Sequence, residues 1–237
     1  MKNTHGTLYL IPAPLGEDAR HTIPEFVVRQ MHELDTFIVE RAKTARHFIR
    51  DTKPPRPIAE MQFYELNEHT QLTEKEALLN PLLAGEDVGL MSEAGCPGVA
   101  DPGAELVKLA HQKGIKVKPL VGPSSILLAL MASGMNGQQF CFQGYLTAKK
   151  DQLGADLKRL EQLSSKARQT QIFIEAPYRN NAVFETALKV LNPATLLCVA
   201  TDITLPAEKI QTKSIAAWKQ MPPPDLHKRP TVFLLLA

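Results

Sequence analysis

Residues 91–103 read M-S-E-A-G-C-P-G-V-A-D-P-G, and this stretch decides the predicted fold. An apolar run precedes it, and residues 105–110 after it have apolar side chains at helical spacing. Glycine permits positive φ and close approach of the backbone to a ligand, while proline fixes the neighbouring turns. Such a loop between a buried strand and a helix N-terminus is the usual cofactor crevice of an open α/β sheet. Its local composition fits an ordinary tight strand-to-helix connection equally well.

Segments typical of strands and helices alternate outward from this loop. In the first half, strands are predicted at 8–11, 36–39, 88–91 and 115–120, and helices at 23–32, 44–50 and 73–83. The third of these helices is expected to begin with the capping-box pattern Thr73-Glu-Lys-Glu76. This order favours a parallel, doubly wound sheet.

A second unit is predicted after a break near residues 119–123. It has strand-like segments at 140–145, 170–174, 196–200 and 230–237, and helix-like segments at 126–132, 151–164 and 180–191. The sequence therefore predicts two α/β domains, residues 1–120 with a parallel sheet and residues 121–237 with a smaller mixed sheet.

The composition is that of an ordinary soluble protein. The 27 basic and 25 acidic residues of the 237 nearly cancel, which neither argues for nucleic acid nor excludes a local basic patch. The three cysteines are far apart and lack metal-ligand spacing, so no metal is expected and a reducing cytoplasm suits them. The N-terminus lacks a signal-peptide pattern, and no apolar run approaches the roughly 20 residues of a membrane span. We therefore expect a soluble, cytoplasmic protein.

Five separated segments carry a resemblance to a known family. They are residues 8–16, 92–107, 119–124, 142–150 and 175–179, which contain L-Y-L-I-P-A-P-L-G, S-E-A-G-C-P-G-V-A-D-P-G, P-L-V-G-P-S, F-Q-G-Y-L with K-K, and E-A-P-Y-R. In this order they resemble the tetrapyrrole methylase superfamily, whose members use S-adenosylmethionine (SAM). The closest branch is that of the small-subunit rRNA (cytidine-2′-O-)-methyltransferases.

The resemblance implies two α/β domains with SAM in the cleft between them, usually in a homodimer. It implies that the backbone of the first loop approaches the cofactor and that the second loop flanks the amino-acid and ribose parts of the cofactor. Residues 124–125 would supply hydroxyls and helix N-terminal amides. The second domain would close over the adenine. The cofactor residues carried over by motif position are Pro14, Leu15, Gly16, Glu93, Ala94, Gly95, Val99, Ser124, Ser125, Glu175 and Ala176. Without the resemblance, Ser124 and Ser125 fit a simple helix cap equally well.

The segments expected to act on the acceptor depart from the rRNA branch. Its Glu-Asp-Thr-Arg signature is Glu40-Arg-Ala-Lys43 here, its Ser-Pro-His-Arg is residues 176–179, and Asp is replaced by Glu93. Glu40 and Glu68 are the candidate catalytic bases, although a carboxylate in such a position is more often structural. The candidate phosphate contacts are Lys43, Arg46, Lys149, Lys150 and Arg179.

Three functions fit these observations. The first is 2′-O-methylation of ribose in ribosomal RNA, with RNA as the partner. The second is methylation of a tetrapyrrole precursor or another small molecule, for which the chain shows no clear arginine cluster. The third is SAM binding without catalysis, which the altered acceptor segments allow.

Overall fold

The structure is a computed structural model that describes residues 5–149 and 151–237. The chain divides into two compact units, the first ending at Ser124 and the second beginning at Ser125. Each unit has its own sheet.

The first unit contains, among the described residues, five strands in the order β3-β2-β4-β1-β5, all parallel. The strands are β1 Thr7–Ile11, β2 Thr36–Val39, β3 Gln62–Glu65, β4 Val88–Met91 and β5 Lys116–Pro119. The helices are α1 Glu25–His32, α2 Ala42–Asp51, α3 Leu72–Ala77, α4 Asn80–Leu83 and α5 Gly103–Gln112. The parallel N-terminal sheet predicted from the sequence is therefore confirmed.

Both faces of this sheet are covered, because successive strand residues point to opposite faces. On β1, Ile11 packs with residues of α1 and α2 such as Val27 and Ile49, and all three are buried. Leu8, on the other face, packs with Leu106 of α5 and with α4. The sheet is thus doubly wound.

The strand order places a crevice between β1 and β4. These two strands are neighbours, but the chain leaves β1 towards β2 and leaves β4 towards β5, on opposite sides. The connecting helices α1 and α5 lie on opposite faces of the sheet. Ligands of open α/β sheets bind at such a switch point, outside the carboxyl ends of the strands.

The second unit contains, within its described residues, a mixed sheet in the order β6-β7-β10-β8-β9. Only β6 and β7 pair in parallel there. Its elements are α6 Ser125–Ser133, β6 Phe140–Tyr145, α7 Leu153–Ala167, β7 Thr170–Ile174, α8 Asn180–Val190, β8 Leu196–Thr201, β9 Lys209–Ser214, α9 Ile215–Trp218 and β10 Thr231–Leu236. The predicted mixed C-terminal sheet is confirmed.

The capping box predicted at Thr73 was wrong by two residues. The helix begins after Gln71, whose main-chain N–H donates to Glu74 Oε2 at 2.8 Å. The predicted single helix is also split, since α3 ends at Ala77 and α4 begins at Asn80 with Pro81 in its first turn. Proline has no N–H to continue the hydrogen-bond ladder, which explains the break.

Candidate functional site

A cavity of ≈ 530 Å³ opens at the carboxyl ends of β1, β2 and β4, in the first unit. Its walls are the loop after β1, helix α2 and the loop after β4. The lining residues are Ala13, Pro14, Leu15, Gly16, Glu17, Arg20, Arg41, Lys43, Thr44, Ala45, His47, Phe48, Asp51, Met91, Ser92, Glu93 and Ala94. The cavity therefore lies at the switch point of the sheet and brings together five of the predicted cofactor residues.

Main-chain hydrogen bonds join the two loops at the crevice. Ala13 N donates to Gly95 O at 2.9 Å, and Gly95 N donates to Ala13 O at 3.0 Å. Gly95 adopts φ +74°, in the left-handed region that favours glycine. A Cβ added there would lie 3.4 Å from Leu15 Cδ2 and 3.6 Å from Pro123 O. The loop after β4 thus depends on glycine to stay against the loop after β1.

Three contacts from the segment after β2 hold Glu93. Its main-chain N–H donates to Glu40 Oε1 at 3.1 Å. Thr44 Oγ1 donates to Glu93 Oε2 at 3.4 Å, and Arg41 Nε lies 4.0 Å from the same oxygen. Both the backbone and the carboxylate of Glu93 are therefore fixed, while the carboxylate stays partly exposed to the cavity.

Two partly buried carboxylates, Glu40 and Asp101, lie beneath this loop. Asp101 accepts from Gly98 N at 2.9 Å and from Gly103 N at 2.7 Å, and so fixes the turn into α5. Asp101 and Glu40 both line a second, small pocket of ≈ 10 Å³. Burial raises the pKa of both groups; for Glu40 the Asp101 and Glu93 carboxylates add to the rise, against the Glu93 amide and Arg41. Glu40 is absent from the described lining of the larger cavity.

Basic side chains line the α2 side of the larger cavity. They are Arg20, Arg41, Lys43 and His47, and the carboxylates of Glu17, Asp51 and Glu93 line the same cavity. Arg41 Nε lies 4.0 Å from Glu93 Oε2, and His47 Nε2 lies 3.4 Å from Asp51 Oδ2. Arg20, Arg41 and His47 were missed by the sequence reasoning. The signal that could have found Arg41 was its place beside Lys43, directly after a strand of the predicted sheet.

Arg46 and Glu68 are absent from the described lining of the larger cavity. The Arg46 guanidinium lies over the Phe63 ring, 4.8 Å from its centroid. Glu68 sits in the turn after β3 with its side chain 84% exposed, 3.6 Å from His69 Nε2. Val99 is also exposed and is not part of the described cavity wall.

In the second unit, Glu175 and Arg179 form a buried pair. The Glu175 side chain is 1% exposed and its Oε2 lies 3.2 Å from Arg179 Nη1. Arg179 Nη2 donates to Thr147 O at 2.6 Å. Burial raises the pKa of Glu175, against the opposing effect of the Arg179 guanidinium. These contacts hold the Arg179 guanidinium within the second unit. Ala176 is the next residue after the buried carboxylate of Glu175.

The other predicted residues have simple placements. Ser124 closes the first unit and Ser125 begins α6. Lys149 is exposed, and Lys150 lies outside the described residues. Over residues 5–149 and 151–237, no cluster of three His, Cys, Asp or Glu side chains could hold a metal ion. No helix within those same ranges is long and apolar enough to span a membrane.

Comparison with known proteins decides the family. Residues 7–217 match the family described as Tetrapyrrole (Corrin/Porphyrin) Methylases. The chain belongs to this family. It is 31% identical to the ribosomal RNA small subunit methyltransferase I of Vibrio cholerae, covering 88% of this chain and 69% of the relative. It is also 31% identical to the protein of that name from Streptococcus pyogenes, with 91% and 71% covered.

Solved tetrapyrrole methylases share the fold. The methyltransferase CobJ aligns with a TM-score of 0.63 at 18% identity, covering 98% of this chain and 93% of CobJ. The Thermus thermophilus uroporphyrin-III C-methyltransferase, complexed with S-adenosyl homocysteine, aligns with a TM-score of 0.57 at 17% identity, with 98% and 97% covered. The expected enzyme class, a SAM-dependent methyltransferase, and the expected cofactor are confirmed.

The cavity of this tetrapyrrole methylase fits SAM. Its ≈ 530 Å³ falls within the range of about 300–1,000 Å³ for small-molecule sites. The glycine at residue 95 keeps a side chain out of the junction between the two loops that line it. The Glu93 carboxylate also provides negative charge, which suits a ligand with a sulfonium and an ammonium group.

Glu40→Gln is expected to raise thermal stability at neutral pH. Because the pKa of Glu40 is raised above 4.5, the folded chain holds this proton more tightly than the unfolded chain. Protonated Glu40 therefore stabilises the folded chain at a pH below 4.5, and this stabilisation is lost as the pH rises through the pKa that Glu40 has in the folded chain. Glutamine suffers no such loss, so the gain in Tm should appear across this window and persist above it. Thermal melts between about pH 4 and about pH 8 check this; a variant less stable than wild type at the upper limit would contradict it.

Proposed function

We propose that this tetrapyrrole methylase transfers the methyl group of SAM to a ribose 2′-hydroxyl of ribosomal RNA. The observation that carries the proposal is the basic α2 wall facing the two predicted cofactor loops across one cavity. The names of the relatives at 31% identity support the choice of acceptor.

The cofactor is assigned to the two loops at the switch point. We assign its binding to Pro14, Leu15 and Gly16 after β1, and to the 93–95 segment after β4. SAM, when bound, supplies an electrophilic methyl group, so the chain needs only to bind it, align the nucleophile and exclude water. The remaining assignments, carried over by resemblance, stay as predicted: Val99, Ser124, Ser125, Glu175 and Ala176.

The acceptor is assigned to the α2 side of the cavity. Arg41 and Lys43 precede and open α2, and Arg20 and His47 line the same wall. Phosphate groups are commonly held by such side chains, which fix the register of a nucleic acid without reading its sequence. The ribose hydroxyl, whose own pKa is far above 7, would then lie towards the cofactor loops and give its proton to solvent as its oxygen takes the methyl group, with S-adenosylhomocysteine as the second product.

A tetrapyrrole precursor remains the alternative acceptor, since the solved structures with this fold include uroporphyrin-III and corrin-pathway enzymes. Such a substrate carries several carboxylates. The carboxylates of Glu17, Asp51 and Glu93 lie among the basic residues of the cavity and would repel the carboxylates of a tetrapyrrole and the phosphates of RNA alike. The choice of the RNA acceptor over the tetrapyrrole therefore rests on the names of the relatives at 31% identity.

The experiment that tests the proposal is methyl labelling. The purified protein, shown by calorimetry to bind SAM, is incubated with SAM carrying a tritiated methyl group. Separate reactions contain small ribosomal subunits, free ribosomal RNA and a small-molecule extract. We expect label in alkali-stable dinucleotides of the RNA, because a 2′-O-methyl group blocks alkaline cleavage. Label in the small-molecule fraction would support the alternative, and SAM binding with no transfer would support a non-catalytic SAM-binding protein.

We also propose that the protein acts in the cytoplasm as a homodimer. Leu127 and Met131, four residues apart on the apolar helix α6, are 50% and 78% exposed, and contiguous apolar surface of this kind marks contact sites. Met131→Glu is expected to halve the mass seen in sedimentation velocity at micromolar concentration, because a charge in an apolar contact costs desolvation. Met221→Glu, at another exposed methionine, is the control. Equal masses for all three proteins would contradict this part of the proposal.

A further inference from the structure

We propose that Glu40 is a positioning residue, which holds the main-chain N–H of Glu93 and thereby sets the loop that faces SAM. It would not be the group that takes the acceptor proton. This inference rests on the proposed function for the identity of the ligand.

The first argument is the direction of the Glu40 side chain. Glu40 follows β2 directly, and its Oε1 accepts from Glu93 N two residues after the neighbouring strand β4. The bond therefore crosses from the end of one strand to the loop of the next. The amide that Glu40 holds lies between Ser92 and Ala94. The next residue, Gly95, forms the two main-chain hydrogen bonds with Ala13. Glu40, after β2, and Ala13, after β1, thus fix the same short loop from the two strands that flank β4.

The second argument is where the carboxylate lies. Glu40 and Asp101 line the ≈ 10 Å³ pocket beneath the loop, with Pro97 and Pro102. That volume holds about one water molecule and no nucleotide. The described wall of the larger cavity, where a ribose would fit, contains Glu93 but not Glu40. A proton acceptor must come within hydrogen-bond reach of the reacting hydroxyl, and Glu40 lines the small pocket instead of the cavity in which that hydroxyl is placed.

The third argument is that the segment after Glu40 serves the same purpose. Thr44 and Arg41 approach the Glu93 carboxylate while Glu40 binds its amide. One short stretch of chain therefore fixes both ends of Glu93.

Two substitutions separate positioning from proton transfer. Glu40→Gln keeps an oxygen that can accept from Glu93 N but cannot act as a base at neutral pH. Glu40→Met has a similar length and no such acceptor. Glu33→Met is the matched control, because Glu33 follows the end of α1 and lies at the amino ends of the strands, away from the loops. The measurements are SAM affinity by calorimetry, kcat and KM for RNA, the pH–rate profile, and hydrogen exchange of residues 92–95.

If Glu40 positions the loop, Glu40→Gln keeps Kd, kcat and the pH–rate profile within about threefold of wild type. Glu40→Met raises the Kd for SAM about tenfold and speeds exchange in the loop, because an amide loses its acceptor. At saturating SAM its kcat recovers to within a few-fold. Glu40→Gln that binds SAM normally but loses about 100-fold or more in kcat, together with the acidic limb of the profile, would overturn the inference in favour of a general base.

A Glu40→Met variant with unchanged SAM affinity and unchanged loop exchange would also overturn it. The groups that face Glu40 are Asp101, Glu93 and Arg41, so a changed profile in Glu40→Gln is compared with Asp101→Asn before it is assigned. If the wild type methylates no RNA, the proposed acceptor fails, but SAM affinity and exchange still decide the role of Glu40. If it binds no SAM, the exchange rates of the loop alone decide it.

Discussion

Gly95→Val is expected to weaken SAM binding about ten- to a hundredfold while the chain stays folded. Valine is β-branched and is strained at φ +74°, and its side chain would grow towards Leu15 and Pro123. The loop can relieve this only by moving away from Ala13, which breaks the two hydrogen bonds that join the cofactor loops. Calorimetry measures the loss, and circular dichroism shows whether the variant is folded.

Gly114→Val is the matched control for this variant. Gly114 has φ +68° and lies between α5 and β5, at the amino ends of the strands of the same sheet. No atom lies within 4 Å of a Cβ added there. It therefore carries similar backbone strain without closing the crevice. Both variants should lose stability, and only Gly95→Val should lose SAM. Equal SAM affinities in the two folded variants would show that the loop after β4 does not face the cofactor.

Most of the fold could be predicted because its buried strands have clear apolar runs. β2 and β4 are buried along their whole length, and both were predicted with their correct bounds. β3 reads Gln-Phe-Tyr-Glu and is mostly exposed at the edge of its sheet, so it shows little apolar pattern. β9 is also an edge strand and is partly buried, but its sequence Lys-Ile-Gln-Thr-Lys-Ser shows little apolar pattern, so it was missed too. At such edges the backbone ladder forms the strand, and side chains give little signal.

The candidate site could be predicted only where backbone geometry determines it. The loops after β1 and β4 carry their own signal in glycine and proline, and the structure places both at one crevice. The basic wall depends on the register of α2 against the sheet, which no local pattern states. Glu40 illustrates the remaining gap. A carboxylate after a strand looks the same in sequence whether it faces a substrate or the amide of the next loop.

Replacing Arg41 and Lys43 with alanine is expected to weaken RNA binding about a hundredfold at low salt. Each cation lost from a phosphate contact also reduces the salt dependence, so the slope of log K against log salt should fall by about two. The loss should be alike for all RNA sequences, because phosphate contacts carry no base information. Binding to a ribosomal RNA fragment, measured at several salt concentrations, checks both the affinity and the slope.

Lys113→Ala with Lys116→Ala is the control. It removes the same charge from two exposed positions at the amino ends of the strands, after α5 and at the start of β5. General electrostatic attraction would weaken RNA binding equally in both double variants, whereas a built phosphate site weakens it only in the first. Arg41 also lies 4.0 Å from the Glu93 carboxylate, so SAM affinity is measured in parallel and Lys43→Ala is tested alone. A double variant that binds SAM normally and retains both wild-type RNA affinity and salt slope would remove Arg41 and Lys43 from the proposed acceptor site.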